Sequence, residues 1–412
     1  ARPGPETSFF VTAKEMEGIT WKTFLLLLAL LAAVVLVAAL ARSRNTEGVM
    51  FRYAPPQEDE KGPDQTEILR RIWAEPPSAR NEVVMGGEAA LREWSDQWDD
   101  RDRGIAICAG GDKYFVVAYV LIRELRHVGC RLPIEVFHHQ GEMNEQRISL
   151  LEGLGARCRN VTTALPFKLT NPYSIKFAAL YLTSFRHCML LDADNNVLRD
   201  PEYLFDTPEY RQHSALFWPD YWQLSRGALC FKVIPKKRQL LDATHFQQES
   251  GQLLVDTERY REQLFKGLRV LENGLCRLFP APYNHGDKDV FMATWEATGQ
   301  KYVFVRHRVA CVGADLLDPE EGRGQLRGGA MGQHDPSGGL LFVHQNQDKW
   351  FSLGPTFTRQ WKYAVRSTHP HKGAVEHGTW CPLEHCERTE LGDEIEKLER
   401  MYFSFLEELR SK

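Results

Sequence analysis

Residues 187–205 read HCMLLDADNNVLRDPEYLF. The apolar run Cys188–Leu191 has the length and polar bounds of a buried strand. It ends on Asp192 and Asp194, one residue apart, before the chain turns polar and reaches Pro201. At an extended strand terminus residues i and i+2 point the same way, so both carboxylates can converge on one divalent cation. Hard oxygen ligands suit Mg2+ or Mn2+; a diphosphate binds the same ion, which offsets charge on a departing diphosphate. The motif alone also fits a turn-forming or capping pair of aspartates.

The surroundings of this strand predict an α/β domain. "GIAICAGG" from Gly104 reads as a strand ending in glycines. "YFVVAYVLIRELRHVG" has helical spacing at Phe115, Tyr119, Ile122 and Leu125, and "LPIEVFHH" is a second strand, so the three form a βαβ unit. Helical stretches "EQRISLLEGLG" and "SIKFAALYLTSF" continue the alternation, which favours a mostly parallel sheet covered on both faces. Ligands in such sheets gather at the carboxyl ends of the strands, where Asp192 and Asp194 stand.

Further polar groups end later apolar runs. "ALFWPD" places Trp218 and Asp220 at a strand end, and "ESGQLLVD" opens a strand with Glu249, Ser250, Gly251 and Gln252. "HGDKDVFMATWEATG" puts Asp287 and Asp289 at a helix start, and "GLLFVHQNQDKW" ends a strand with His344, Asn346 and Lys349. Any one acid at a helix N-terminus serves as a dipole partner. Taken together, they are more than a packed core requires.

The chain has 412 residues, of which 43% are hydrophobic and 26% charged, enough for a large core. A formal charge of -4 with no basic stripe excludes a nucleic-acid partner. Thr23–Ala41 contains no charged residue over a length of roughly 28 Å as a helix, which matches a membrane span. A cleaved signal peptide and a buried core helix are the other readings of that run. Residues 42–103 contain "YAPPQEDEKGPDQ", a spacer composition, with short helices possible in "TEILRRIWAE" and "EAALREWSDQW". The expected order is a tail over 1–22, a span over 23–41, a stem over 42–103, a catalytic domain over 104–365 and a C-terminal extension over 366–412. In the extension, Ile395, Leu398, Met401 or Tyr402, Phe405 and Leu409 form one helical face suited to docking on the core.

From Gly104 to Trp361 the chain resembles the fungal Golgi α-mannosyltransferase family. The strings carrying the resemblance are "AGGDKYFVVAYVLIRELRHVGCRLPIEVFH", "KFAALYLTSFRHCMLLDADNNVLRDPEYLF", "FWPD", "ESGQLLVD", "GDKDVF" and "FVHQNQDKW". Their order is also similar to that of retaining glycosyltransferases with the GT-A fold, glycogenin among them. The resemblance implies a GT-A nucleotide-diphospho-sugar transferase domain behind one N-terminal transmembrane helix, in a single-pass type II Golgi membrane protein with a lumenal catalytic domain. It implies transfer of mannose from GDP-mannose to a glycan or glycoprotein acceptor with Mn2+ or Mg2+. A UDP-sugar donor and a catalytically silent subunit of a glycosylation complex are the alternatives.

Residue by residue, Asp192, Asp194 and His344 match the metal ligands, and Asp192 the donor contacts as well. Tyr114 matches an aromatic beside the nucleotide base, Gly110 and Gly111 allow close backbone approach, and Lys176 and Lys349 are candidates to neutralise diphosphate charge. Lys349 lies five residues after His344, whereas the glycogenin-like pattern has six with an intervening glycine. Asp287 matches the sugar-facing acid, with Asp289 and Asp220 as reserves. Trp218, Glu249, Ser250, Gln252 and Asn346 are assigned to sugar or acceptor hydroxyls.

Nine cysteines are present, and "CPLEHC" spaces Cys381 and Cys386 for a local disulfide loop, with zinc or free thiols as alternatives. Cys108 reads as a buried strand residue, and "NVT" at Asn160 as a glycosylation acceptor. The stretch 321–339, with seven glycines, reads either as a loop closing over the donor or as a surface loop. The phosphate-loop pattern is absent, which removes support for nucleotide hydrolysis.

Overall fold

The computed structural model describes residues 64–75, 102–165, 167–223, 233–234, 246–275, 286–317, 325–368, 380–382 and 386–412. The Thr23–Ala41 run lies outside them; among the described residues no helix is long and apolar enough to cross a membrane.

The first described helix is Gln65–Ala74 (α1), and Leu69, Ile72 and Trp73 are buried on one face of it. This corrects the spacer reading of 42–103 in part: i, i+3, i+4 spacing gives the segment an apolar stripe, which joins the core. The Lys266 ammonium donates to the Trp73 carbonyl at 2.8 Å and holds the helix end.

Strands Arg103–Cys108 (β1), Ile134–His138 (β2) and Ala156–Asn160 (β3) alternate with helices Gly111–His127 (α2) and Glu145–Glu152 (α3). Helix Ile175–Leu182 (α4) then leads into His187–Asp192 (β4) and Asn195–Val197 (β5). Next come Ala215–Gln223 (β6), Phe246–Asp256 (β7), helices Arg261–Glu272 (α5) and Val290–Thr298 (α6), and Val303–Phe304 (β8). The main sheet has the order β3-β2-β1-β4-β7-β6-β8. Strands β1 to β4 pair in parallel within it, β7 runs antiparallel between β4 and β6, and β8 is parallel to β6.

The apolar run of the opening motif follows from this position. Met189 and Leu191 face one core cluster with α2, while Cys188 and Leu190 face the other with α4, α5 and α6. Both faces of β4 are covered, so alternation gives way to a continuous apolar strand. Each fully buried Leu or Met there contributes roughly 1.5–3 kcal/mol.

A second sheet is antiparallel throughout, built from Ala310–Gly313 (β9), Ala330–His334 (β12), Leu340–His344 (β13), Tyr363–Ser367 (β14), Cys386–Glu390 (β16) and β5. Leu316–Leu317 (β10), Gln325–Arg327 (β11) and Trp380–Pro382 (β15) make a small third sheet. Several expectations change here. Eight residues of the glycine-rich stretch lie in β11 and β12, and its residues 321–324 lie outside the described residues. Gly332 lies where an added Cβ would stand 2.9 Å from Val312, so its glycine permits close strand packing rather than loop motion. The expected domain boundary after residue 365 falls inside β14, which pairs with β16. Cys386 is a thiol rather than half of a loop disulfide. Its strand joins the second sheet, whereas Cys381 pairs by backbone with Leu326 in the third. The disulfide-bonded cysteine among the described residues is Cys311. Asn160 is half-buried, and its side chain accepts the Thr162 N–H at 2.9 Å as a helix cap.

Helix Asp393–Arg410 (α7) packs on α2 through Tyr402, Phe405 and Leu406, with Arg123 and Glu408 paired at 2.5 Å. Glu399, buried in the same interface, accepts the backbone N–H groups of Gln360 and Trp361. Burial raises its pKa to about 7, against the lowering effect of those two bonds. A carboxyl raised in the folded state stabilises most below its unfolded value near 4.5 and loses that contribution as pH climbs through about 7. Glu399→Gln is expected to flatten the fall in stability between pH 5 and pH 8 by up to about 3 kcal/mol. Urea unfolding of both proteins at the two pH values measures it.

Candidate active site

The carboxyl end of β4 delivers the first group of side chains. Asp192 closes the strand, Asp194 follows in the turn, and β5 pairs with β13 so that Asn195 lies opposite His344. Across 150 residues of sequence, His344 Nε2 comes within 3.1 Å of Asp194 Oδ1 and 3.9 Å of Asp192 Oδ2. The structure thus brings together the three residues assigned to a metal. It adds a fourth. Glu249 Oε1 lies 3.6 Å from His344 Nδ1, and donor atoms of Asp192, Glu249 and His344 all fall within 4.8 Å of one another.

Gly251 makes this convergence sterically possible. A Cβ there would meet His344 Nδ1 at 2.6 Å and Cε1 at 2.8 Å, closer than atoms pack. Gly251→Ala must displace the imidazole from its place between Glu249 and the two aspartates. The expected result is a normal unfolding curve with roughly 10- to 100-fold weaker Mn2+ binding, read by titrating the protein with Mn2+.

Two lysines flank the acids. Lys176, from α4, lies 2.9 Å from the Asp192 carboxylate and 3.1 Å from Asp287 Oδ2, and donates to Ser250 Oγ at 3.0 Å. Burial opposes its charge, but Asp192 and Asp287 outweigh burial and raise its pKa above the usual lysine range. Lys349 pairs with Asp194 and donates to the Gln345 carbonyl at 3.2 Å. Burial, aided by the nearby Lys176 charge, lowers it to about 8. Four carboxylates against two ammonium groups leave excess negative charge at one point. Burial raises the Glu249 pKa, with His344 opposing that rise. Two carboxylate oxygens and an imidazole nitrogen are a donor set that fits Mn2+ or Mg2+.

These groups open onto a cleft of about 360 Å³ lined by Gly110, Tyr114, Tyr173, Lys176, Asp192, Asp194 and Asp287, among others. Gly111 has φ +67, in the left-handed region, and its N–H donates to the Glu142 carbonyl at 3.0 Å. At Gly110 a Cβ would meet Glu142 Oε2 at 2.1 Å, so glycine lets the β1–α2 turn close on that side chain. Tyr114 and Tyr173 are each 47% exposed, leaving aromatic faces open in the cleft. Cys108, read as a core residue, also lines it, because its register partner on β4 is Asp192.

Asp220 and Asp289 form a separate buried group with Lys288, whose ammonium lies 2.5 Å from Asp220 Oδ2. Asp289 is fully enclosed, accepts the Gln248 N–H at 2.5 Å, and is raised to about 7 by burial despite the Lys288 charge. Its φ of 64 is costly for a non-glycine residue, a strain of about 1–3 kcal/mol of the kind held at functional sites.

Three of the side chains assigned to sugar hydroxyls are enclosed. β7 begins at Phe246, so Ser250 and Gln252 are mid-strand between β4 and β6, where all eleven residues are buried. Ser250 supports Lys176, and Gln252 accepts from Asn195 at 2.9 Å. Trp218 is enclosed, its indole N–H donating to the His334 carbonyl at 2.7 Å. Asn346 is exposed just beyond β13.

A family model described as "Mannosyltransferase putative" matches residues 102–247 and 239–335, more than half of the chain. The α-1,2-mannosyltransferase MNN22 of Candida albicans is 28% identical over 291 residues, covering 59% of this chain and 48% of that protein. MNN2 of Saccharomyces cerevisiae, also an α-1,2-mannosyltransferase, is 26% identical over 276 residues, covering 56% of this chain and 45% of that one. The chain spans about half the length of the curated relatives it matches. Core-mannan synthase A of Aspergillus fumigatus, solved in an Mn/GDP form, aligns over 51% of this chain and 74% of that one at 10% identity, with a TM-score of 0.32. The family model covers β1 to β12, the run that carries Asp192, Asp194, Glu249 and Asp287, and on that match the chain belongs to the mannosyltransferase family.

Proposed function

We propose that this chain is a metal-dependent, retaining α-mannosyltransferase of GT-A type that moves mannose from GDP-mannose to a glycan on a glycoprotein. The observation that carries the reading is the approach of His344 to Asp192 and Asp194 from a strand 150 residues away. Asp192, Asp194 and His344 would hold Mn2+ or Mg2+, with Glu249 as a further donor. When bound, the cation supplies charge neutralisation for the diphosphate.

The remaining roles belong to side chains. Tyr114 offers its exposed ring to the nucleotide base. Lys176 and Lys349 present ammonium groups where the diphosphate would lie, and preorganised cations of this kind stabilise a leaving group at no reorganisation cost. Asp287, beside Lys176 in the cleft, faces the sugar and stabilises positive charge developing at the anomeric carbon. Asp220 and Asp289 stand behind it with Lys288. Retention is compatible with a covalent intermediate or with attack from the same face. The apolar run Thr23–Ala41 supports one membrane span, and the resemblance to the Golgi family supports a Golgi location with the domain in the lumen.

The test is donor turnover by the full chain with GDP-mannose and with UDP-sugars, with Mn2+ and with EDTA. Turnover of GDP-mannose that EDTA removes is the expected result. Turnover of a UDP-sugar instead would change the donor, and failure with every donor would leave a silent subunit.

A further inference from the structure

Two asparagines follow the aspartate pair, and neither has a part in the chemistry above. Both are 1% exposed. Asn195 Nδ2 donates to the Gly251 carbonyl at 3.0 Å and to Gln252 Oε1 at 2.9 Å, which ties β5 to β7 across the two sheets. Asn196 Nδ2 donates to the Val343 carbonyl at 2.7 Å, and its Oδ1 accepts the Trp350 indole N–H at 2.6 Å. Each amide therefore grips the backbone next to a different member of the cluster. Asn195 holds the peptide of Gly251, the position whose missing Cβ makes room for the His344 ring. Asn196 holds the residue immediately before His344.

We propose that Asn195 and Asn196 are positioning residues that fix the separation of the Asp192–Asp194 turn from Glu249 and His344, and so set the affinity of the site for a divalent cation. The inference rests on the metal reading of the site. Its physical basis is that Asp194 and His344 stand at the end of the short β5–β13 ladder, three residue pairs long, beyond which the Gln345 N–H donates to the Asp194 carbonyl at 2.9 Å. A ladder that short leaves its register and spacing weakly defined. Two buried side-chain amides, each donating to a named carbonyl of a neighbouring strand, remove that freedom. Groups that orient ligands from behind typically govern affinity by 10- to 100-fold.

Mn2+ binding by the full chain tests this, measured from the electron paramagnetic resonance signal of free Mn2+, together with thermal unfolding and the KM for Mn2+ in turnover. Asn195→Ala and Asn196→Ala are expected to raise the Kd for Mn2+ by about 10- to 100-fold. The KM for Mn2+ should rise in parallel, and kcat at saturating Mn2+ should change far less. A purely structural loss would lower the unfolding temperature or the folded fraction without altering the Kd of the molecules that remain folded. Trp350→Phe, which deletes the indole donor to Asn196 that also serves the buried Glu124 carboxyl, gives a second probe and should raise the Kd in the same direction. Parent protein that binds Mn2+, with all variants within twofold of it, overturns the positioning role and leaves the metal reading standing. Parent protein that binds no Mn2+ removes the metal reading and this inference with it.

Discussion

Asp194→Ala is expected to lower kcat/KM with GDP-mannose on the order of 10³-fold, without recovery at high Mn2+. A metal acting as Lewis acid supplies several kcal/mol of transition-state stabilisation, and each 1.4 kcal/mol is one decade in rate. Asp194 also has two partners. His344 Nε2 lies 3.1 Å from one of its oxygens, and Lys349 pairs with the other. Truncation removes a proposed ligand and strands a buried ammonium, so stability should fall as well; breaking a buried pair costs about 3–5 kcal/mol. Initial rates at several Mn2+ concentrations, beside a denaturant melt, separate the two losses. Rates within tenfold of the parent would mean that Asp194 holds no cation that the reaction needs.

Lys176→Met is expected to be nearly as severe, for a different reason. The lysine stands between Asp192 and Asp287, about 3 Å from each, and only 13% of its side chain is exposed. Without it the two carboxylates face each other with no fixed cation between them, and the proposed diphosphate site loses a charge. A charge-assisted contact to a leaving group is worth about 2.7–4 kcal/mol when removed, or 10²- to 10³-fold in kcat. The KM for the donor should rise with it. The control is Ser250→Ala, which removes one acceptor from the same ammonium and should cost far less. A Met variant that keeps its rate would place the diphosphate elsewhere in the cleft.

Much of the scaffold was legible residue by residue. The apolar period marked β1, β2 and β4 and the helix Gly111–His127 between them, because burial on one stripe or on both faces leaves a direct trace in the chain. The Asp192–Asp194 pair was legible for the same reason, since neighbours in sequence stay neighbours in space. The α1 helix was readable in "TEILRRIWAE", but its docking on the core was obscured by the proline-rich residues before it. The second sheet was less readable still: its strands are short, and glycines that permit close packing at β9 and β12 look the same in sequence as glycines that permit motion.

The roles of Glu249, Gly251, Ser250 and Gln252 show where local reading stops. All four lie in one string, yet Glu249 faces an imidazole, Gly251 vacates space for it, Ser250 braces a lysine and Gln252 is enclosed in the sheet. Nothing in the string separates them, because each role depends on which strand lies beside it.

From its own order of residues, the chain settled its local elements, its paired acids at a strand end and its kinship with the mannosyltransferases. Tertiary structure alone decided that His344 and Glu249 meet those acids, and that Trp218 and Gln252 do not reach the cleft. Periodicity records only which way a side chain faces within its own element; the distance between elements is set by packing and by long-range hydrogen bonds such as those of Asn195 and Asn196.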